Sequence, residues 1–505
     1  MATHRHTGRN LVLAAAMAAA ASLGGCAQNA ESLAPRSATE PWRPGDSRHS
    51  TLLPAKYTPS APGYRDFSVQ GDPEVGHLPP PPQTVPGKVY RLPELIDIAA
   101  RNNPLTKSAW EQARRSALAV GIAEATFLPA LSANVVAGAQ EITTPVDILG
   151  EERDIDSTAD GAVASLGVQW LLFDFGQRKA AVDAARQLSV ASNIAFNGTH
   201  QALIYNVTRT YYQYGAARRG AELAGQALQN SRSILAAAVQ REKGGIGTTV
   251  DVAQARQQVA QSELRQVVSQ GQERDSYQAL LDAMGVSPTL KIRVAGSGDR
   301  PLARSARAMT DEVIRSSLQR RPDVLASYAA MKASEAGVKV AKADFLPKVF
   351  LGASVGTEND SFEIGGLPTI GQQASGTGVL VGATMPIYDG GVRGANVKLA
   401  ESRVSEAKAA FEKTQEEAVR EMVVAANALR SAVESYQAST KLTEAAAITY
   451  DAALDAYRNG LGTVTDATAA DSGLLDARQA RADAHAASLV AAANLAFVLG
   501  SMTSY

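Results

Sequence analysis

Apolar positions along this chain recur with a helical period in some stretches and with a period of two in others. The order in which the stretches follow one another occurs twice. Leu92 to Thr126 reads as one helix and Thr310 to Asp344 as its counterpart, with Pro104 and Pro322 at matching places. Each is expected to stop at a Phe-Leu-Pro motif, Phe127 to Pro129 or Phe345 to Pro347, because the residue before proline avoids the α region. The period then changes. Ala162, Ala164, Leu166, Val168, Trp170 and Leu172 alternate with Val163, Ser165, Gly167 and Gln169, which predicts a strand with one apolar face and one mostly small or polar face. In the second half Thr377, Val379, Val381, Ala383 and Met385 alternate with Gly376, Gly378, Gly382 and Thr384. Polar, Gly-rich stretches around Glu151 to Asp160 and Asn359 to Gly376 are expected to separate the strands of each pair.

Gly176 to Lys243 and Gly391 to Asn459 are continuous helical patterns, each extending roughly 100 Å at about 1.5 Å per residue. Helices at Thr249 to Met284 and Thr310 to Asp344 are about half as long, so laid end to end they would match one long helix. Leu92 to Thr126 with Val464 to Leu499 would match the other. The reversals between long and half-length helices fall at Gly244 to Thr248 and Gly460 to Thr463, where glycine supplies the backbone freedom to turn.

The halves also repeat as words, at a spacing of about 215 residues. Phe173-Asp174-Phe175-Gly176 returns as Tyr388-Asp389-Gly390-Gly391, and Gly245-Ile246-Gly247-Thr248 with Asp251 returns as Gly460-Leu461-Gly462-Thr463 with Asp466. This period is far longer than the roughly 20 to 50 residues of solenoid repeats, so it indicates a duplicated half-domain. The strands are long enough to cross a membrane when tilted. Four strands, however, cannot close a barrel around a passage, and open edges in lipid leave backbone groups unpaired, so several copies of the chain are expected to combine.

The N-terminal region has another character. Arg5 and Arg9 precede the apolar run Leu11 to Ala21, a signal-peptide core that ends in Leu23-Gly24-Gly25-Cys26. That sequence resembles a bacterial lipobox, in which cleavage leaves a lipid-bearing cysteine at the new N-terminus. Cys26 is the only cysteine of the chain. From Ala27 to Lys88 twelve of the 22 prolines accumulate, so this stretch is expected to be an extended tether without its own core. The organisation read from the sequence is a signal peptide at 1–25, a lipid-anchored Pro-rich leader at 26–88, and two repeats at 89–300 and 301–505.

Composition excludes more than it identifies. The formal net charge of −1 offers no electrostatic footprint for nucleic acid. No phosphate-binding glycine loop, metal-type Cys/His cluster or nucleophile–base constellation stands out, so no cofactor, metal or catalytic residue is expected.

Taken together, the repeated motifs resemble the TolC-like family of outer-membrane efflux channels. The most specific are Arg321-Pro322-Asp323 with Ala343 to Pro347, Met385 to Gly391, and Tyr457 through Asp466. The resemblance implies a fold that is mainly α with a membrane β-barrel portion, built as a trimeric channel from duplicated helix-strand-strand-helix-helix halves. It also implies passive export of small molecules as the outer-membrane duct of a tripartite system, with the helical tube in the periplasm and with a periplasmic adaptor and an inner-membrane pump as partners. A duct for secreted protein or polysaccharide, and a structural coiled-coil envelope lipoprotein, are the alternatives. By the same resemblance Gly245, Gly247, Gly460 and Gly462 would form the periplasmic tip that meets the adaptor, while Asp466, Tyr457 and Asp251 are the candidates for the pore gate. Asp251 is also expected to cap a helix or face a neighbouring protomer. The chain departs from the family pattern at Ala469, where relatives often carry a second aspartate, and at Gly462, where a tip arginine is common.

Overall fold

The computed structural model describes residues 73–76, 80–148, 151–296, 302, 309–364 and 370–502, so Cys26 and its flanking motif lie outside the described residues. Contacts divide the chain into two units at Pro80 and Pro81. In the first unit the described residues contain one 3-10 turn, Pro73–Gly76. The second unit holds the duplicated body.

Two helices dominate that body: α3 (Gln177–Lys243) and α7 (Val392–Arg458), each 67 residues long. At about 1.5 Å per residue both extend about 100 Å. The half-length helices are α2 (Pro104–Ala125), α4 (Thr249–Met284), α6 (Pro322–Ala343) and α8 (Val464–Val498). Two short helices, α1 (Leu92–Asn102) and α5 (Asp311–Leu318), precede α2 and α6. Strand β1 (Val89–Tyr90) pairs in parallel with β4 (Arg293–Val294).

The expected single helices at Leu92 to Thr126 and Thr310 to Asp344 are therefore each two helices. The break falls immediately before Pro104 and Pro322. Asn103 and Arg321 sit at ψ 123° and 124°, outside the α region, and each proline takes the first helical position, where its missing N–H costs nothing.

The pairing of half-length helices also differs from expectation: they stack within each half, not across halves. Asn103 Nδ2 at the start of α2 donates to the Ala283 carbonyl at the end of α4 (3.2 Å). Arg321 Nη1 before α6 donates to the Val498 carbonyl at the end of α8 (3.0 Å). The reason is close packing at two C-terminal glycines. A Cβ on Gly285 would lie 2.8 Å from Asn103 Cα, and one on Gly500 2.9 Å from the Arg320 oxygen. Each stack packs along the long helices: α3 packs against α2, α4, α6 and α8, and α7 packs against α6 and α8.

Strands β2 (Ala130–Ile148), β3 (Glu151–Phe173), β5 (Lys348–Ile364) and β6 (Ile370–Thr384) form one antiparallel sheet in the order β2-β3-β5-β6. They are longer than expected. Most of the stretches read as separating loops, Glu151 to Asp160 and Asn359 to Gly376, are strand, for example in the pairs Thr158↔Glu141 and Glu358↔Ala374. A hydrogen-bonded ladder needs no apolar alternation, so its polar ends were invisible to a pattern that detects a buried or lipid-facing side.

Candidate channel wall and tip

Register settles which side chains share a face of the sheet. Leu131↔Val168, Ala133↔Leu166 and Val135↔Ala164 on β2 and β3 continue through Leu166↔Val355 and Val168↔Ala353 to Val355↔Thr377 and Ala353↔Val379. This face is almost wholly apolar and open in a single chain: Leu131, Val135 and Val379 are each about three-quarters exposed. The other face carries Ser132, Asn134, Ser165, Gly167, Gln169, Gly352, Ser354 and Gly356, with Val136, Val163 and Leu380 among them. The apolar run Ala162 to Leu172 is about 35 Å long at about 3.3 Å per residue. A tilt near 45° reduces it to about 25 Å, the height of the apolar band of an outer-membrane barrel.

The change from strand to helix is made by a clasp that occurs twice. Asp174 Oδ1 accepts from the Gly176 backbone N (3.2 Å), and its Oδ2 accepts from the backbone N (2.9 Å) and Nε (2.8 Å) of Arg178. The guanidinium also donates to the Thr126 carbonyl (2.9 Å) and lies over the Phe127 ring. In the second half Asp389 accepts from Gly391 N and from the backbone N and Nε of Arg393, whose Nη1 donates to the Pro386 carbonyl and whose guanidinium lies over Phe345. The Phe-Leu-Pro and Asp-containing words of the sequence are thus two sides of one joint. The arginines were missed, although Asp174…Arg178 and Asp389…Arg393 repeat at the same spacing. Phe175 occupies the place of Gly390 and shares its left-handed backbone, φ 51° against 67°, a costly geometry for an aromatic residue. Around this joint Trp170 donates from Nε1 to the Phe127 carbonyl (2.8 Å), and Phe173 meets Phe175 edge to face. Aromatic residues thus gather at the end of the apolar band, as at a membrane interface.

At the far end, the two reversals share one geometry. Gly245 (φ 71°) and Gly460 (φ 82°) take the left-handed turn, after which Ile246 N bonds to the Arg241 carbonyl (3.0 Å) and Leu461 N to the Ala456 carbonyl (2.8 Å). Gly247 is needed for space, since a Cβ would meet Glu242 N at 2.9 Å, and Gly462 is tightly placed, with a Cβ 3.2 Å from Ala456 Cβ. The next helix opens with a reciprocal cap in each half. Asp251 N donates to Thr248 Oγ1 (3.1 Å) and Thr248 N to Asp251 Oδ2 (2.9 Å). Asp466 N donates to Thr463 Oγ1 (3.2 Å), while Thr463 N (3.2 Å) and Oγ1 (2.7 Å) donate to Asp466 Oδ2. These bonds hold the exposed Asp466 carboxyl below the usual carboxylate range.

Tyr457 is 1% exposed and belongs to the tip core, with Ile234, Ala238, Ala255, Leu454, Val464 and Ala467. Burial, and then the nearby Asp251 charge, push its hydroxyl up, while Arg241 opposes them. Arg241 was not singled out from the sequence. It lies over the Tyr457 ring, donates from Nη1 to the Tyr457 carbonyl (2.9 Å) and from Nη2 to the Ile246 carbonyl (3.3 Å), and so ties the two reversals together. The available signal was asymmetry: its counterpart in the second half is Ala456.

The outer membrane efflux protein family model matches residues 95–286 and 313–501, both halves of the body. The chain belongs to that family. It is similar to outer membrane protein OprJ of Pseudomonas aeruginosa, 30% identical over 367 residues that cover 70% of this chain and 74% of that one. Its similarity to the probable outer membrane lipoprotein SilC of Salmonella typhimurium is 24% over 89% of this chain and 90% of the relative. In fold it matches a crystal structure of the channel protein CusC with a TM-score of 0.68 at 20% identity, covering 81% of this chain and 91% of that one. This outer membrane efflux protein thus acts in the outer membrane, in a family of export ducts and not of catalysts. Among its described residues no helix is long and apolar enough to cross a membrane, and no group of acidic, His or Cys side chains could hold a metal ion.

Proposed function

We propose that three copies of this efflux protein close their four-stranded sheets into a twelve-stranded barrel continued by a twelve-helix periplasmic tube. Through it small molecules leave passively, delivered by an inner-membrane pump through a periplasmic adaptor at the tip. The observation that carries this reading is the open sheet with one apolar face, joined by rigid clasps to helices about 100 Å long. Edges β2 and β6 have no partner strand among the described residues, and in lipid that state costs several kcal/mol per exposed backbone group. A coiled-coil envelope role leaves the apolar sheet without a purpose. Transport energy comes from the pump, and the duct itself carries out no reaction.

The glycine reversals face the adaptor in this reading, and Asp466 lines the narrowest ring. The two cap bonds that its carboxylate accepts both end on Oδ2, so Oδ1 of this exposed group is not engaged by the cap, and capping and pore lining are compatible. Detergent-solubilised mass measurement should give a trimer, and planar-bilayer recordings should show a cation-preferring pore. Asp466→Asn should lower that preference by removing three clustered charges. A stable monomer, or selectivity unchanged by the substitution, would count against the assembly or the ring respectively.

Cys26 anchors the mature chain through lipid. Mass spectrometry of the N-terminal peptide from membranes should find diacylglycerol on Cys26, whereas an intact sequence upstream of it would remove the anchor from this account.

A further inference from the structure

A ladder of polar side chains joins α4 of the first half to α8 of the second just behind the tip. Thr465 Oγ1 meets Gln254 (3.5 Å), Gln258 Nε2 donates to Ser472 Oγ (3.0 Å), and Arg265 faces Asp476 (3.9 Å). The α4 members recur every three or four residues, along with Ser262, and therefore lie on one face of that helix. The rung at Ser262 differs from the rest. Ser262 Oγ lies 2.8 Å from Ser231 Oγ of α3, which lies 2.9 Å from Oδ2 of Asp471 on α8, while Asn230 Nδ2 donates to Asp471 Oδ1 (3.0 Å). Asp471 is 1% exposed and Ser231 fully buried. Asp471 lies about 10 Å along α8 from its first residue, at about 1.5 Å per residue.

A buried carboxylate is costly without a cation in ion-pair reach; among the described residues Asp471 has none, and its hydrogen-bond neighbours are neutral donors. Arg265 of α4 and Arg478 of α8 act on it only at longer range, and Arg265 is shared with Asp476. From α7 the Tyr450 hydroxyl is its titratable neighbour. Burial raises the Asp471 carboxyl above its ordinary range, against the opposing pull of Asn230 and Ser231.

Proton bookkeeping gives the rung two complete states. With Asp471 ionised, Ser262 donates to Ser231 and Ser231 donates to Oδ2. With Asp471 protonated, its own O–H donates to Ser231, whose proton turns toward the Ala227 carbonyl, 2.9 Å away, while Ser262 still donates to Ser231. Both states keep every hydroxyl paired, but only the first holds a charge in the packed seam. Because the packed state binds the proton more readily than a hydrated one, the seam tightens as pH falls through the raised range and loosens above it.

We infer that Asp471 is a positioning residue for the tip, setting through its protonation state how firmly the two halves are joined behind the reversals. This rests on the channel reading above. The readout is conductance of the full-length trimer in planar bilayers from mildly acid to mildly alkaline pH. Wild-type conductance should rise with pH. Asp471→Asn, which keeps both hydrogen bonds and stays neutral, should give a flat profile at the wild-type acid level. Asn230→Ala removes a donor to the carboxylate and should move the wild-type rise to higher pH. Asp466, held low by its cap, titrates at more acid pH and does not produce this pattern. A wild-type protein that forms no pore sinks the channel reading and this inference with it. A conducting wild type whose Asp471→Asn form follows the same pH profile overturns this inference alone. If Asp471→Asn fails to assemble, an unmoved profile in Asn230→Ala overturns it instead.

Discussion

Arg178→Met is expected to destabilise the assembled protein by about 3 kcal/mol, because it strands the Asp174 carboxylate in a nearly closed site. Both partners are buried, at 10% and 6% side-chain exposure, and the guanidinium also serves two backbone carbonyls at the root of the strands. Nothing else among the described residues offers that carboxylate a cation. Resistance of the trimer to thermal dissociation in detergent measures the loss. The double variant Asp174→Asn with Arg178→Met should recover part of it, since no charge is then left buried. Arg186→Met, which breaks a shorter (2.6 Å) but exposed pair with Glu124, should cost under about 1 kcal/mol. Equal losses from Arg178→Met and Arg186→Met would mean that the joint is not the fastening point between membrane and tube.

Leu166→Arg is expected to prevent stable membrane insertion. Leu166 sits at the middle of the apolar face, between Ala133 on β2 and Val355 on β5. An arginine at the bilayer midplane costs about 2–4 kcal/mol in an outer-membrane barrel, and a trimer would carry three. Gln169→Arg, on the same strand but the opposite face, serves as the control and should insert normally with altered ion conduction. Recovery of each variant in the outer-membrane fraction decides the matter. If Gln169→Arg fails and Leu166→Arg inserts, the two faces have been assigned the wrong way round.

Local chemistry wrote much of this architecture into the chain. The ends of α3, α4, α7 and α8 were legible to within a residue because Gly245 and Gly460 force a reversal and Thr248 and Thr463 start the next helix. The strands were legible only where one face is apolar, since that face alone leaves a period of two. The helix breaks at Asn103 and Arg321 were also present in the sequence, because a proline acts on its immediate neighbour, but a continuous apolar period obscured them.

What tertiary structure alone decided are the relations between segments far apart in the chain. Which half-length helices stack depends on Gly285 meeting Asn103 and Gly500 meeting Arg320 across gaps of about 180 residues, contacts that leave no periodic trace. The pairing of β3 with β5, which merges two hairpins into one sheet, is likewise a meeting of the two halves. For side chains the same division holds. The sequence alone placed Asp466, Asp251 and Tyr457 at the tip, but burial of Tyr457, the clamp made by Arg241 and the closed setting of Asp471 arise only when helices of both halves come together. Periodicity records which side of a segment avoids water, and it carries no record of which neighbour covers that side.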